Sequence, residues 1–222
     1  MLNCSINQLS RWDRKNYFYP DMAKNYQITQ ADQPLCLDGF IEVDVNGTQK
    51  RFEIERIHQE ENAAKNIHAS GASLVDYNRA GTALMEIVSH PCMHSAEDAL
   101  AYMTSIKQIM QYGGISSCDQ EKGQMRSDVN ISVRPIGQKE LGSKVEIKNM
   151  NSFAFIQEAI EYEIDRQIAV LESGGSVEQE TRGYDSDRGE TFVQRSKEDA
   201  HDYRYFPEPD LLPLQLSEDE IA

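Results

Sequence analysis

The chain is poor in several things at once. Its 222 residues hold one tryptophan, four cysteines and seven prolines. No apolar run approaches the roughly 18 residues of a membrane span, so a membrane partner is not expected. The N-terminus has no basic stretch leading into an apolar one, which argues against a secretion signal. Cys4, Cys36, Cys92 and Cys118 lie far apart with no CxxC pair. That excludes the usual structural zinc site and points to reduced thiols and a cytoplasmic location. Positive charge is also scarce: 22 Lys and Arg face 37 Asp and Glu, a net charge of −15. A broadly basic surface of the kind that grips nucleic-acid backbones is therefore excluded. Missing too are the Walker phosphate loop, the dinucleotide-binding glycine fingerprint and the zinc-peptidase His-Glu-x-x-His. There is no Gly-x-Ser-x-Gly elbow and no Gly/Ser-rich nucleophile run.

What remains is enough chain for a real core, in one large domain or two small ones. Residues 1–39 read as irregular, with Pro20 and Pro34 and few periodic apolars. Ile41, Val43 and Val45 alternate with acids, Asn46-Gly47 supplies a hairpin turn, and Phe52 and Ile54 continue on the return strand. Residues 83–88 read as a short strand interrupted by Glu86. Ser95-Ala96-Glu97-Asp98 has the pattern of a capped helix start. Leu100, Met103, Ile106 and Met110 give that helix an apolar face, and Gly113-Gly114 stops it. Val129, Ile131 and Val133 then alternate with Asp128, Asn130, Ser132 and Arg134. After a loop from Pro135 to Gly142, Val145 and Ile147 alternate with Lys144, Glu146 and Lys148. A helix with Ile156, Ile160, Ile164, Ile168 and Leu171 near helical spacing runs to Gly174-Gly175. Hairpins rather than a βαβ rhythm make the expected class α+β: an antiparallel sheet backed by helices.

Three groups of residues have chemical potential. Glu60-Glu61 is an acidic pair, which in its bland form sits solvated on a surface helix with Lys65 four residues from Glu61. Glu86 interrupts an apolar run, so its carboxylate must face a polar cleft, meet a cation, or sit on an outward strand face. The polar face of the hairpin carries Arg126, Asp128, Asn130, Arg134, Lys144 and Lys148, suited to phosphate or ribose, or else a solvated face of weak ion pairs. Asn149, Asn151 and Ser152 follow at a turn into the helix, where Ser152 has the character of an N-cap. Last comes Arg195-Ser196-Lys197-Glu198-Asp199-Ala200-His201-Asp202-Tyr203-Arg204-Tyr205-Phe206-Pro207-Glu208-Pro209. It is too charged for a buried strand and too proline-rich for a helix. Arg195, Lys197 and Arg204 suit a phosphate clamp, with Glu198 and Asp202 to orient it. Tyr203, Tyr205 and Phe206 suit stacking on a base or equally a place in the core, the first reading for Phe206.

That last segment closely resembles the corresponding motif of the GatB/GatE family of tRNA amidotransferase subunits. Further resemblances run in family order along nearly the whole chain. They include Arg14-Lys15-Asn16-Tyr17-Phe18-Tyr19-Pro20-Asp21, Tyr26-Gln27-Ile28-Thr29-Gln30, Arg56-Ile57-His58-Gln59-Glu60-Glu61 and Asp76-Tyr77-Asn78-Arg79-Ala80-Gly81. Glu86-Ile87-Val88-Ser89, Arg126-Ser127-Asp128-Val129-Asn130-Ile131-Ser132-Val133-Arg134, Glu146-Ile147-Lys148-Asn149-Met150-Asn151-Ser152-Phe153 and Gln179-Glu180-Thr181-Arg182 follow.

The resemblance implies a glutamine-synthetase-like sheet cradle over residues 1–222 as a single catalytic domain. It implies ATP and Mg²⁺, with Glu61 and Glu86 as metal ligands and Glu60 and Glu146 as weaker candidates. Arg126, Asp128, Lys148, Arg195, Lys197 and Arg204 become candidate catalytic residues; Asn130, Arg134, Asn149, Asn151 and Ser152 become candidates for holding the cofactor. The implied activity is amidation of misacylated Glu-tRNA(Gln) or Asp-tRNA(Asn). Ammonia would come from a separate amidase chain, and a small linker chain would complete a heterotrimer. The chain starts past the family's Glu-Val-His segment and stops before its helical and tail domains. Asn62 replaces the usual Asp, and Thr82-Ala83-Leu84 lacks the usual proline. Two other readings stay open: an acidic scaffold that docks an amidase and channels ammonia, and a stand-alone ligase acting on a small amino acid.

Overall fold

The computed structural model describes residues 1–69, 71–196 and 202–221. Its strands in chain order are β1 (Ser5–Ile6), β2 (Leu9–Ser10), β3 (Asp13–Asn16), β4 (Tyr26–Thr29), β5 (Cys36–Val45), β6 (Thr48–Glu61), β7 (Lys65–Ala69), β8 (Ala72–Asp76) and β9 (Ala83–Ser89). After helix α1 (Ala96–Tyr112) come β10 (Ser127–Ile131), β11 (Val145–Met150), α2 (Phe153–Glu172), β12 (Glu180–Asp185), β13 (Glu190–Ser196), β14 (Phe206–Pro207), β15 (Leu214–Gln215) and α3 (Glu218–Ile221). The chain divides into two compact units. The first holds Met1–Glu42, Arg51–Cys92 and His201–Ala222; the second holds Val43–Lys50 and Met93–Ala200.

In the first unit a four-stranded sheet runs β1-β5-β6-β9, a three-stranded one β14-β3-β4, and β15 pairs with β2. Residues 1–39 are thus not irregular but carry β1 to β4. These strands are two to four residues long, and β2 and β3 find their partners β15 and β14 near the far end of the chain. No local pattern announces such pairs, because their backbone partners are distant in sequence. Arg14 secures one of them: its Nε and Nη2 donate to Glu208 at 2.7 and 2.9 Å. Its guanidinium also lies 4.3 Å from the Tyr26 ring centroid. Ile41, Phe52, Ile54 and Ile57 are buried. A register shift between Ile54 and Arg56 breaks the two-residue alternation, so Ile54 and Ile57 are both buried three apart.

The tip of the β5–β6 hairpin has Asn46 and Gly47 at φ 54° and 82°, both left-handed, as a two-residue hairpin turn requires. In the second unit a sheet runs β10-β11-β12-β13. β10 and β11 form the expected antiparallel hairpin. β11 and β12, however, are parallel and are joined by α2. The expectation of hairpins without a βαβ unit fails there, because a helix long enough to cross the sheet separates the two strands. Ser95 caps α1 by accepting from the Asp98 N–H, and Ser152 caps α2 by accepting from Phe155 N–H at 3.1 Å. Ala96, Ile147, Met150, Ile156, Ala159, Ile160 and Tyr184 form the core.

The second half of α2 departs from its apolar pattern. Ile168 and Leu171 are 40% and 39% exposed, whereas Glu163 and Gln167 are fully buried. Glu163 accepts from Arg166 Nε at 2.8 Å, Thr191 Oγ1 at 2.8 Å and Gln167 Nε2 at 3.2 Å. Arg182 lies 3.5 Å from Glu163 and donates to Thr191 Oγ1, the Thr191 carbonyl and Glu180. Gln167 Oε1 accepts the Val133 N–H just past β10. A buried carboxylate with this many donors is compensated; stripped of them it would not be tolerated.

Candidate active site

Strand β6 delivers the site of the first unit. On a strand, side chains two apart share a face, so His58 and Glu60 point together. β9 pairs antiparallel with β6 and sets Glu86 opposite His58. His58 Nε2 lies 3.2 Å from Glu60 Oε1 and 3.3 Å from Glu86 Oε2. The three ligand atoms all fall within 4.8 Å of one another. Gln27 and Thr29, two apart on β4, each donate to Glu60 at 3.2 Å. Burial disfavours a charged imidazole, but the hydrogen bonds and charges of Glu60 and Glu86 outweigh it and push His58 up to about 9. His58 in turn holds Glu86 below the usual carboxylate range.

Three tyrosines border the cluster. Burial, followed by the charges of Asp21, Tyr203, Glu60 and Glu61, pushes Tyr17 up to about 12. Tyr205 is raised by burial and by Tyr203, Glu60 and Glu86. Tyr203 sits between them, edge-on to Tyr17 at 6.4 Å and to Tyr205 at 6.1 Å. The Lys15 ammonium lies 4.6 Å from the Tyr203 ring centroid.

The donor set suits a divalent cation. Two carboxylates supply the oxygens that Mg²⁺ prefers, and the imidazole, once its Nε2 gives up the proton it shares with Glu60 and Glu86, would widen the choice toward Mn²⁺ or Zn²⁺. The His58 Nδ1 is buried with no hydrogen-bond partner.

The second unit has a different polar constellation, on the outer face of β10–β11. Lys148 Nζ contacts Asp128 at 2.8 Å and Glu146 at 3.2 Å. Glu146 also accepts from Thr181 Oγ1 at 3.0 Å. Burial works against the Lys148 charge, and the two carboxylates more than restore it, raising its pKa.

Comparison with known proteins decides the family. The family model described as the GatB/GatE catalytic domain matches residues 1–222. The chain belongs to the GatB/GatE family. The B subunit of the aspartyl/glutamyl-tRNA(Asn/Gln) amidotransferase of Opitutus terrae is 56% identical over 98% of the chain and 46% of its own length. The proteins of that name from Persephonella marina and Thermoanaerobacter sp. strain X514 are 54% and 53% identical, over 99% and 98% of the chain. The chain spans about half the length of these curated relatives, 46% in each case.

The residues expected from the sequence are distributed as follows. Glu60, Glu61, Glu86 and Arg204 fall in the first unit; Arg126, Asp128, Asn130, Arg134, Glu146, Lys148, Asn149, Asn151, Ser152 and Arg195 fall in the second. Glu60 and Glu61 are in a strand rather than a helix, so neighbouring carboxylates diverge. Glu61 is not in the three-ligand cluster. It accepts from Lys24 Nζ at 2.5 Å and from the Ile28 N–H at 2.8 Å, and its cation is Lys24 rather than Lys65.

Arg134 donates to the Lys139 carbonyl of its own loop. Asn130, Asn149 and Asn151 are exposed, and the Ser152 hydroxyl is committed to its cap. Arg204 is exposed with φ 42°, and its carbonyl accepts from Asn16. Phe206 is 44% exposed in β14 rather than core, with its ring 5.8 Å from the Arg14 guanidinium. Lys197, Glu198 and the Arg195 side chain lie outside the described residues.

A lone histidine such as His58 reads from sequence as packed or hydrogen-bonded; it is both, and it also completes the group with Glu60 and Glu86. The signal was there in its spacing: in a strand His58 and Glu60 must share a face. Lys24 carried no such signal, because its partner is 37 residues away.

Proposed function

We propose that this chain carries the phosphorylating site of an ATP-dependent amidotransferase that acts on misacylated Glu-tRNA(Gln) or Asp-tRNA(Asn). The supporting observation is the convergence of His58, Glu60 and Glu86 within 4.8 Å beside a tyrosine wall. The family membership and the names of the relatives support the substrate class.

The chemistry needs a better leaving group on a carboxylate. The substrate carboxylate oxygen attacks the γ-phosphorus of ATP, ADP leaves, and an acyl phosphate forms. Ammonia then attacks the carbonyl carbon and inorganic phosphate leaves, giving the amide. Such transfers rest on positioning and charge rather than on covalent participation by the protein. Glu60, Glu86 and His58 would hold Mg²⁺, which supplies positive charge to phosphate oxygens. Gln27 and Thr29 fix the Glu60 carboxylate through their hydrogen bonds. Tyr17, Tyr203 and Tyr205 offer faces for an unpaired base. Ammonia would come from a separate amidase chain, a small linker chain would complete the assembly, and the setting would be cytoplasmic.

Calorimetry of Mg²⁺-dependent ATP binding tests this. Glu60→Gln and Glu86→Gln should each weaken binding by about tenfold or more. Glu61→Gln should leave it within a few fold, because Glu61 is engaged by Lys24 and Ile28 instead. Absence of any binding by the unaltered chain would sink the phosphorylating role and favour a scaffold.

A further inference from the structure

Strand β6 carries a charge that the metal cluster does not account for. The register shift between Ile54 and Arg56 inserts Glu55 as one extra residue, and Ile54 and Ile57 both reach the core across it. From Arg56 onward alternation is regular, so Arg56, His58 and Glu60 share the face opposite Ile57. On β9 the residues facing these three are Val88, Glu86 and Leu84. Arg56 is the one permanently charged cation among the six. Val88 offers it no acceptor across the ladder. Among the described residues its ion pair is with Glu55, its own chain neighbour, and not with Glu86. The two side chains are 33% and 44% exposed, and a pair so exposed holds its cation weakly. The Arg56 charge nevertheless reaches the cluster. Behind the His58 hydrogen bond it adds to the lowering of Glu86, and at Tyr205 it opposes the rise that burial causes.

We propose that Arg56 binds a phosphoryl oxyanion delivered to the cluster of His58, Glu60 and Glu86. This rests on the phosphorylating reading of that cluster and adds a residue to it. The shared strand face and the weak partner carry the argument. At about 3.3 Å per residue, positions 56 and 58 lie roughly 6.6 Å apart along the strand. A phosphate held at the cluster is therefore within reach of a side chain as long as arginine's. The guanidinium suits it, because its fork of N–H donors meets two oxygens at once. Its charge also persists at every working pH. Glu55 acts as an exchangeable partner: a phosphate that takes its place displaces a half-exposed carboxylate and breaks no buried network.

Calorimetric titration with Mg²⁺-ATP, Mg²⁺-ADP and Mg²⁺ alone tests this on the unaltered chain, Arg56→Met, Arg56→Lys and Glu55→Gln. Arg56→Met should weaken ATP binding about tenfold or more, the scale of a hydrogen bond to a charged group. Arg56→Lys should recover part of that loss, since it restores the charge without the fork. Glu55→Gln should keep the affinity or tighten it. Mg²⁺ alone should bind Arg56→Met at least as well as the unaltered chain, because the carboxylates remain and a nearby cation is gone. A loss confined to ATP assigns the terminal phosphate and an equal loss with ADP an inner one; both support the proposal. Unchanged ATP affinity in Arg56→Met overturns it and leaves the phosphorylating reading standing. Equal losses in Arg56→Met and Glu55→Gln also overturn it, because they mark the pair as structural. No ATP binding by the unaltered chain overturns the phosphorylating reading, and the role of Arg56 falls with it. Should Arg56→Met fail to fold, Arg56→Gln takes its place under the same criteria.

Discussion

At the scale of single residues, charge is placed where its partners can be supplied. Arg14 and Glu208 illustrate the rule. The Glu208 side chain is 1% exposed, and Arg14 meets it with two donors. The Arg14 hydrogen bond holds the Glu208 carboxyl below its usual range, against burial. Because the folded pKa is lowered, the stabilisation is present above the unfolded carboxylate pKa and disappears as pH falls through the folded value. Glu208→Gln should therefore flatten the acid limb of a stability–pH profile measured by urea unfolding. Arg14→Ala should lower the urea midpoint at neutral pH, since it removes both donors to the Glu208 carboxylate. Asp98 works the same way: burial raises its pKa, and Lys50 and the His94 N–H more than reverse that. It too contributes to acid lability.

At the scale of elements, the helices divide their labour between core and network. α2 buries Ile156 and Ile160 near its start and Glu163 and Gln167 further on. Ile168 and Leu171 kept the helical period but not the burial, because the face turned to the sheet there carries Glu163 and Gln167 and meets Arg182 and Thr191. Glu163→Ala should cost about 1–3 kcal/mol in chemical unfolding, as it removes the acceptor of Arg166, Gln167 and Thr191 while Arg182 keeps Glu180. Ser152→Ala should cost about 1 kcal/mol, the ordinary value of an N-cap. If Ser152→Ala instead lost ATP binding with stability unchanged, the hydroxyl would be a ligand contact rather than a cap. The β5–β6 turn is a contrasting element. It was readable from Asn46-Gly47 because its left-handed requirement is local.

At the scale of the molecule, the excess of 37 acidic over 22 basic residues imposes self-repulsion. Raising NaCl from low to physiological ionic strength should raise the melting temperature by a few degrees, because added salt screens exposed charges. A melting temperature that falls with salt would show that attractive pairs such as Lys148–Asp128 dominate instead. No helix among the described residues is long and apolar enough to cross a membrane.

Sequence alone determined what depends on neighbours along the chain. The β5–β6 turn, the Ser95 cap and the β10–β11 hairpin follow from spacing and capping chemistry. Family membership was legible there too, because the motifs keep their order over the whole chain. Tertiary structure decided what depends on residues far apart. It paired β3 with β14, gave Glu61 to Lys24, and chose Glu60 rather than Glu61 to join His58 and Glu86. It also made β11 and β12 parallel across α2. The physical reason is common to all four. Strand faces and registers are set by pairing partners and by bulges, and a single inserted residue reverses which side chains face the core.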